Sequence, residues 1–303
     1  MTGAPLSGDA ITVAVATMDR PEGLARALRA LLDGRVLPAQ MVVVDQGARD
    51  ASETLRAFGG APVPLVHLRQ ARRGLSVSRN AAAAATRTPA LAVTDDDCVP
   101  DAGWVAAIAR ALASPEVDAV SGRVLPLGPP TPDTFEVSAR SSERPVDFTA
   151  PVAPWEAGTG GNFAVRLDRL RAVGGYDERL GTGTPGRAAE DLDLLHRLLR
   201  AGFRVRYAPD ALVLHERQPR ARRLAASEGY AHGVGAMCAL WARRGDAYAL
   251  PVLARYLVMQ ARGTVGGLRA RDAFELQQRA RAVLGLGRGL AYGLRASGRA
   301  PIR

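Results

Sequence analysis

Three adjacent carboxylates, Asp95, Asp96 and Asp97, close an apolar run in VTDDDCVP (93–100). Held together at the end of a strand they repel one another, and a shared cation relieves that cost. An extended backbone places Asp95 and Asp97 on one face and Asp96 on the other. Hard carboxylate oxygens suit Mn²⁺ or Mg²⁺, and open α/β sheets collect ligands at the carboxyl ends of their strands. The plainer alternative is a solvated turn whose acids cap a helix starting near Asp101. A second pair, Glu190 and Asp191, follows a glycine-rich loop (181–186) and opens a helix, where acids also simply complement the helix dipole. His215 ends another apolar run, just before Glu216, and can reach a metal held at the same sheet edge. His67, His196 and His232 have no such setting and are read as structural.

The elements that must position these groups alternate. Short β-branched runs at 11–17, 41–46, 64–70, 90–95 and 117–126 are separated by helical patterns, the signature of βα units feeding a mostly parallel sheet. After the first run, Asp19 and Pro21 stand where a helix cap and a first-turn proline belong, ahead of Leu24, Leu28, Leu31 and Leu32. Helices are expected near 51–58, 76–86 and 101–113, then a long proline-rich excursion over 127–154. A helix over about 188–200 and a strand over 204–215 complete the first unit. Beyond them, 219–244, 247–262 and 268–284 read as arginine-rich helices separated by glycines. The reading is therefore one Rossmann-like α/β domain over 1–216 with a helical appendage over 217–303.

Composition narrows the classes. With 47% hydrophobic and 23% charged residues over 303 positions, the chain can bury a core and is not disordered as a whole. It contains no lysine, so all 40 basic residues are arginines. Residues 1–215 hold 24 of them against 25 acids, whereas 216–303 hold 16 against 5. That basic block suits anionic lipid, nucleic acid or a phosphorylated acceptor, or is a solvated surface. The two cysteines, Cys98 and Cys238, have no metal-ligand spacing, which fits a reducing cytoplasm. No leader pattern or run of about 18 apolar residues is present, so a cytoplasmic protein, peripheral at most to a membrane, is expected.

In this order, the motifs over about 11–216 resemble the family 2 glycosyltransferases, which have the A-type nucleotide-sugar fold. The resemblance rests on VAVATMDRP (13–21), VVVDQGARDAS (42–52), RGLSVSRNAA (73–82), the acid triplet, GGNFAVR with GGYDE, and the Glu190–Asp191 pair. It implies an inverting transfer from a nucleotide diphosphate sugar, of UDP or dTDP type, to an acceptor hydroxyl. On this resemblance Asp45 accepts a ring N–H of the base, Thr17 and Arg20 line the same pocket, and Arg79 contacts base or diphosphate. Asp96 or Asp95 holds the ribose, Asp97 the metal, and His215 is a further ligand. Asp191 falls at the catalytic base, with Glu190 orienting it or the acceptor. Where relatives often have a second acid and a serine after the base-binding aspartate, this chain has Gln46, Gly47 and Ala48. Trp155, beside Gly158, Gly160 and Gly161, is the candidate sugar-stacking ring on the acceptor side, with Asn162 as a polar contact.

Two other classes compete. A sugar-phosphate nucleotidyltransferase needs a glycine-rich phosphate loop with a basic residue after the first strand, but that turn reads TMDRPEG. A non-catalytic nucleic-acid binder would use the arginine block, yet it leaves the acids of the first unit unexplained, and no specific nucleic-acid partner is expected. The appendage instead suggests contact with an anionic membrane, where a lipid-linked acceptor would lie, or pairing with a second copy. The acceptor class, whether small molecule, glycan or lipid-linked, is not legible.

Overall fold

The computed structural model describes residues 10–297. The leading βα units form as the pattern requires: β1 (Ile11–Thr17), α1 (Pro21–Leu32), β2 (Gln40–Asp45), α2 (Ser52–Arg56), β3 (Leu65–Arg69), α3 (Leu75–Ala85) and β4 (Ala90–Asp95). A short β5 (Cys98–Pro100) follows, then α4 (Trp104–Ala113) and β6 (Ala119–Leu127). The 127–154 excursion carries two small strands, β7 (Thr134–Phe135) and β8 (Val146–Phe148). Then come α5 (Pro154–Ala157), β9 (Asn162–Arg166), α6 (Leu167–Ala172), α7 (Glu190–Arg200) and β10 (Val205–Glu216). The chain closes with β11 (Gln218–Pro219), α8 (Arg223–Arg243), α9 (Ala249–Ala270) and α10 (Ala273–Arg295).

The main sheet has the order β3-β2-β1-β4-β9-β6-β10-β5, with β8 also on β10. β1, β2, β3 and β4 pair in parallel, β9 runs antiparallel between β4 and β6, and β10 again lies parallel to β6. Six long strands thus point one way and deliver their carboxyl ends to one edge. Both faces are covered, which is why β1, β2 and β4 are almost continuously apolar and buried. Leu24, Leu28 and Leu31 of α1 pack with Trp104 and Ile108 of α4 on one face, while Leu194, Leu195 and Leu198 of α7 pack on the other.

Three expectations are corrected. Pro21 does open α1, but the residue before it is Arg20, and Asp19 sits at φ 57° with its carboxylate accepting the Arg49 amide at 2.8 Å instead of capping the helix. The helix expected from Asp101 begins at Trp104, and residues 98–100 before it form a short strand that pairs antiparallel with Val213, Leu214 and His215. Gly245 does end α8, at φ 77°, but Gly263, Gly266, Gly267 and Gly285 lie inside helices. α10 runs through Gly285, Gly289 and Gly293, because these meet the carbonyls of Glu228, His232 and Ala236 on α8. A Cβ on Gly289 would lie 1.9 Å from the His232 oxygen, so only glycine permits this approach. The same helices are not a loose attachment: Leu180, Ala189 and Leu192 from the first unit share a core with Met237, Leu240, Val252 and Leu286.

Candidate active site

A cavity of about 970 Å³ opens over the carboxyl edge of the sheet. Its floor carries Thr17, Arg20, the acid triplet and His215; one wall carries Arg79, Glu190 and Asp191; the other is built by the 135–139 segment and by α8 and α9. Trp155 also lines it and meets the Tyr256 ring edge-on at 6.3 Å.

The triplet does not keep an extended backbone. β4 ends at Asp95, and Asp96 and Asp97 form a turn, so the three carboxylates diverge instead of alternating. Asp95 accepts from Arg79 at 3.1 Å. Asp96 accepts the Thr17 hydroxyl at 2.8 Å and lies 3.4 Å from the Arg20 Nε. Asp97 lies 3.3 Å from Arg20 and 3.6 Å from the His215 Nε2. Burial, with some repulsion from Asp97 and Asp95, pushes the Asp96 carboxyl up to about 7, against the pull of Thr17 and Arg20. Asp97 is raised for the same first reason, and by Asp95. Arg20 is therefore a counter-charge inside the acid cluster, and with Thr17 it lines the cavity. It also pairs with Glu216, as does Arg26, and that acid had no assigned place in the sequence reading. Burial lowers the Arg20 guanidinium's pKa, but Asp96, Asp97 and Glu216 outweigh it.

The donor set fits a divalent cation. His215 turns its Nδ1 to the Glu216 carbonyl at 2.8 Å, and an N–H donated there leaves the Nε2 lone pair facing Asp97 Oδ1. A histidine held through its second nitrogen by a carbonyl is the usual way a metal-binding tautomer is fixed. The nearby Cys98 thiol is buried and its pKa raised well above the ordinary, which keeps it protonated and makes it the poorest donor of the group.

Arg79 is buried and committed. It donates to Glu190 at 2.9 Å, to Asp95 at 3.1 Å and to the Gly160 carbonyl at 3.1 Å, tying the end of β4 to the start of α7. Burial opposes its charge, but Asp95, Tyr176, Glu190 and Asp191 hold its pKa above the ordinary value. Asp191 accepts backbone amides from Gly160 at 2.7 Å and Leu192 at 2.8 Å. Burial raises the Asp191 carboxyl, and burial with Asp191's own charge pushes Glu190 up to about 7. A carboxylate whose pKa is lifted toward neutrality is a stronger proton acceptor than a free one, as general base catalysis asks.

Two assigned residues are not among those lining the cavity. Asp45, 1% exposed, spends its carboxylate on the amides of Gly47 and Ala51 at 2.8 and 2.9 Å and on Arg69 at 2.5 Å, which shapes the 46–51 loop. Asn162 is equally buried: it accepts from the Trp104 indole at 2.8 Å and donates to the Arg123 and Ala211 carbonyls, so it is a core bracket and not an acceptor contact. The departure at Gln46 has a structural use: its amide both donates to and accepts from Gly74, holding the loop before α3 against β2. Among the histidines read as structural, His196 stacks on Trp241 at 3.8 Å and pairs with Asp246, and His232 donates to the Pro185 carbonyl. Among the residues the sequence reading missed are Glu216, which pairs with the cavity-lining Arg20, and the α8 wall, Arg223, Ser227 and Tyr230, which recur at helical spacing in the segment taken as an appendage.

Comparison with known proteins agrees with this geometry. The family model "Glycosyl transferase family 2" matches residues 12–151 and "Glycosyl transferase family group 2" matches 90–265. Among curated proteins, a pre-mycofactocin glycosyltransferase of Mycobacterium tuberculosis is 29% identical over 235 residues, 76% of this chain and 47% of that protein. The chain thus spans about half the length of that relative. A glucosyl-dolichyl phosphate glucuronosyltransferase of Haloferax volcanii is 25% identical over 215 residues, covering 68% of each. Among solved structures, a mannosyltransferase of Pyrobaculum calidifontis, in complex with GDP-Man and Mn²⁺, matches with a TM-score of 0.63 at 18% identity, over 94% of this chain and 87% of that one. A GalNAc-T7 structure with UDP, GalNAc and Mn²⁺ matches with a TM-score of 0.55 at 15% identity, over 74% and 47% of the two chains. With the fold, the ordered motifs and these matches in agreement, the chain belongs to glycosyltransferase family 2.

Proposed function

We propose that the enzyme is an inverting, divalent-metal-dependent transferase that moves a hexosyl or deoxyhexosyl unit from a nucleotide diphosphate sugar, of UDP or dTDP type, to an acceptor hydroxyl. The observation that carries this is one cavity holding the Asp97–His215 pair and the raised Asp191 carboxyl, lined between them by Arg79. Asp97 and His215 would hold the cation, with Mn²⁺ or Mg²⁺ suited to the donor set. A bound cation would neutralise charge on the diphosphate. The Mn²⁺ complexes of the two structural neighbours support a metal here.

The residues then divide the work. Asp191, fixed by two amides, takes the proton of the acceptor hydroxyl while that oxygen forms its bond to the anomeric carbon. Arg79 clamps Glu190 and Asp95 so that base and donor acids keep a set separation. Asp96, held by Thr17, faces the ribose. Asp45 acts on the base through the loop it shapes. Trp155 offers its ring to the acceptor sugar or ring system. Calorimetric titration with UDP, GDP and dTDP, each with Mn²⁺ or EDTA, tests the reading: one nucleotide binding only with metal is expected, and metal-independent or absent binding rejects it.

For partners, the proposal includes an anionic membrane surface. Among the described residues no helix is long and apolar enough to cross a membrane. α9 nevertheless exposes Leu250, Leu257, Val265 and Leu268 at helical spacing, beside Arg262 and Arg269, which have no carboxylate partner among the described residues. Sedimentation with phosphatidylglycerol vesicles but not phosphatidylcholine vesicles is expected; self-association without vesicle binding would assign the face to a second copy.

A further inference from the structure

The wall of the cavity opposite the acids is formed in part by α8, and Tyr230 is its aromatic lining residue. Tyr230 is 51% exposed, but its exposure is to the cavity that it lines. Its hydroxyl makes no hydrogen bond with any described residue. Burial, followed by the charges of Asp191, Asp97, Glu190 and Asp95, pushes its pKa up to about 12, so the phenol lies under the influence of both the metal-side and the base-side acids and stays protonated.

The register of this side chain is set by its neighbours on α8. His232 donates to the Pro185 carbonyl at 3.0 Å, and a Cβ on Gly233 would lie 2.6 Å from the Ala188 carbonyl carbon. Both contacts are with the loop that leads directly into Glu190 and Asp191. The helix is pinned less than one turn after Tyr230, against the segment that carries the base.

We propose that Tyr230 is a further catalytic residue, supplied by the helical part, whose O–H donates a hydrogen bond to the diphosphate oxygen that departs from the anomeric carbon. This rests on the transferase reading above. In the step, the acceptor oxygen bonds to the anomeric carbon and its proton goes to Asp191. The bond from that carbon to the diphosphate oxygen breaks, and its electron pair stays on the oxygen. The phenol keeps its proton and stabilises the new charge. A donor aimed at the attacking oxygen would reduce its nucleophilicity, whereas a donor aimed at the leaving oxygen helps as charge grows there.

The test is titration of wild type and Tyr230→Phe with UDP, GDP and dTDP and with their monophosphates, all with Mn²⁺, together with turnover of the matching sugar donor, water serving as acceptor. The substitution removes one oxygen and leaves the ring, so the fold is checked by unchanged monophosphate affinity. We expect diphosphate binding about tenfold weaker with monophosphate binding unchanged, and donor hydrolysis slowed about a hundredfold. Wild-type affinity for the diphosphate and wild-type hydrolysis in the variant overturn the proposal alone. So does a loss confined to transfer onto an added acceptor, which would place the hydroxyl on the acceptor side. Failure of the wild-type protein to bind any of the three diphosphates overturns the transferase reading and this proposal together.

Discussion

At the scale of single residues, the site is a set of acids held in unequal environments, and their roles are separable. Asp97→Asn removes a charged ligand facing His215 and is expected to abolish Mn²⁺-dependent nucleotide binding. Asp191→Asn should bind nucleotide as wild type and lose about 10²- to 10⁴-fold in turnover, because only the proton acceptor is gone; equal loss of binding in both variants would defeat the division of roles. The acids also set a pH dependence. Asp96 is raised from 3.8 to about 7, and Asp97 in the same direction, so without metal the folded protein binds more protons than the unfolded chain in that interval. Their contribution therefore favours folding at low pH and is lost as pH rises through the folded value. A cation that binds deprotonated Asp97 beside His215 relieves part of this cost, so the rise in Tm on adding Mn²⁺ should grow between pH 5.5 and 8. A constant increment across that range would exclude the Asp97 carboxyl as a ligand. Asn162→Ala tests the opposite assignment. It strands the Trp104 indole and two carbonyls, and should cost on the order of 3 kcal/mol in urea unfolding while leaving nucleotide affinity of the folded protein intact.

At the scale of elements, the site depends on how β4, α7, β10 and α8 are brought to one edge. β4 and β10 are separated by β9 and β6 in the sheet, so Asp97 and His215 meet only because β5 folds back onto the end of β10. α8 is held from behind by α10 through small residues, and this contact governs where Tyr230 lies. Gly289→Val forces a side chain against the His232 carbonyl and is expected to lower stability by about 1–3 kcal/mol and to reduce turnover more than nucleotide binding. Thermal unfolding and the donor assay check it; wild-type values in both would show that the helices can separate without consequence. The strands and the first helices were legible because alternating apolar runs and leucine spacing report directly which face is covered. The α8–α10 contact was not, since a glycine in a helix reads as a break when no partner is visible.

At the scale of the whole molecule, the helical part lines the candidate site and shares a core with the α/β part. Its core includes Leu180, Ala189 and Leu192, and Glu228 on α8 pairs with Arg281 and Arg288 of α10, the latter two taking up part of the basic excess. Ending the chain after Glu216 is expected to expose that core and give an aggregating product without metal-dependent nucleotide binding; a stable fragment that still binds would restore the boundary expected near 217. What the sequence by itself determined is the parallel α/β framework, the acids at strand ends and the acid pair at the start of α7. Each of these follows from local periodicity or from groups adjacent along the chain. Tertiary structure alone decided that Arg20 and Glu216 join the acid cluster, that Asp45 and Asn162 spend their polar atoms on internal hydrogen bonds and do not line the cavity, and that Tyr230 lines it. Those outcomes depend on which carboxylate a guanidinium 76 residues away can reach and on the angle at which one helix meets another. Such distances are set by packing across the sheet, and no spacing along the chain encodes them.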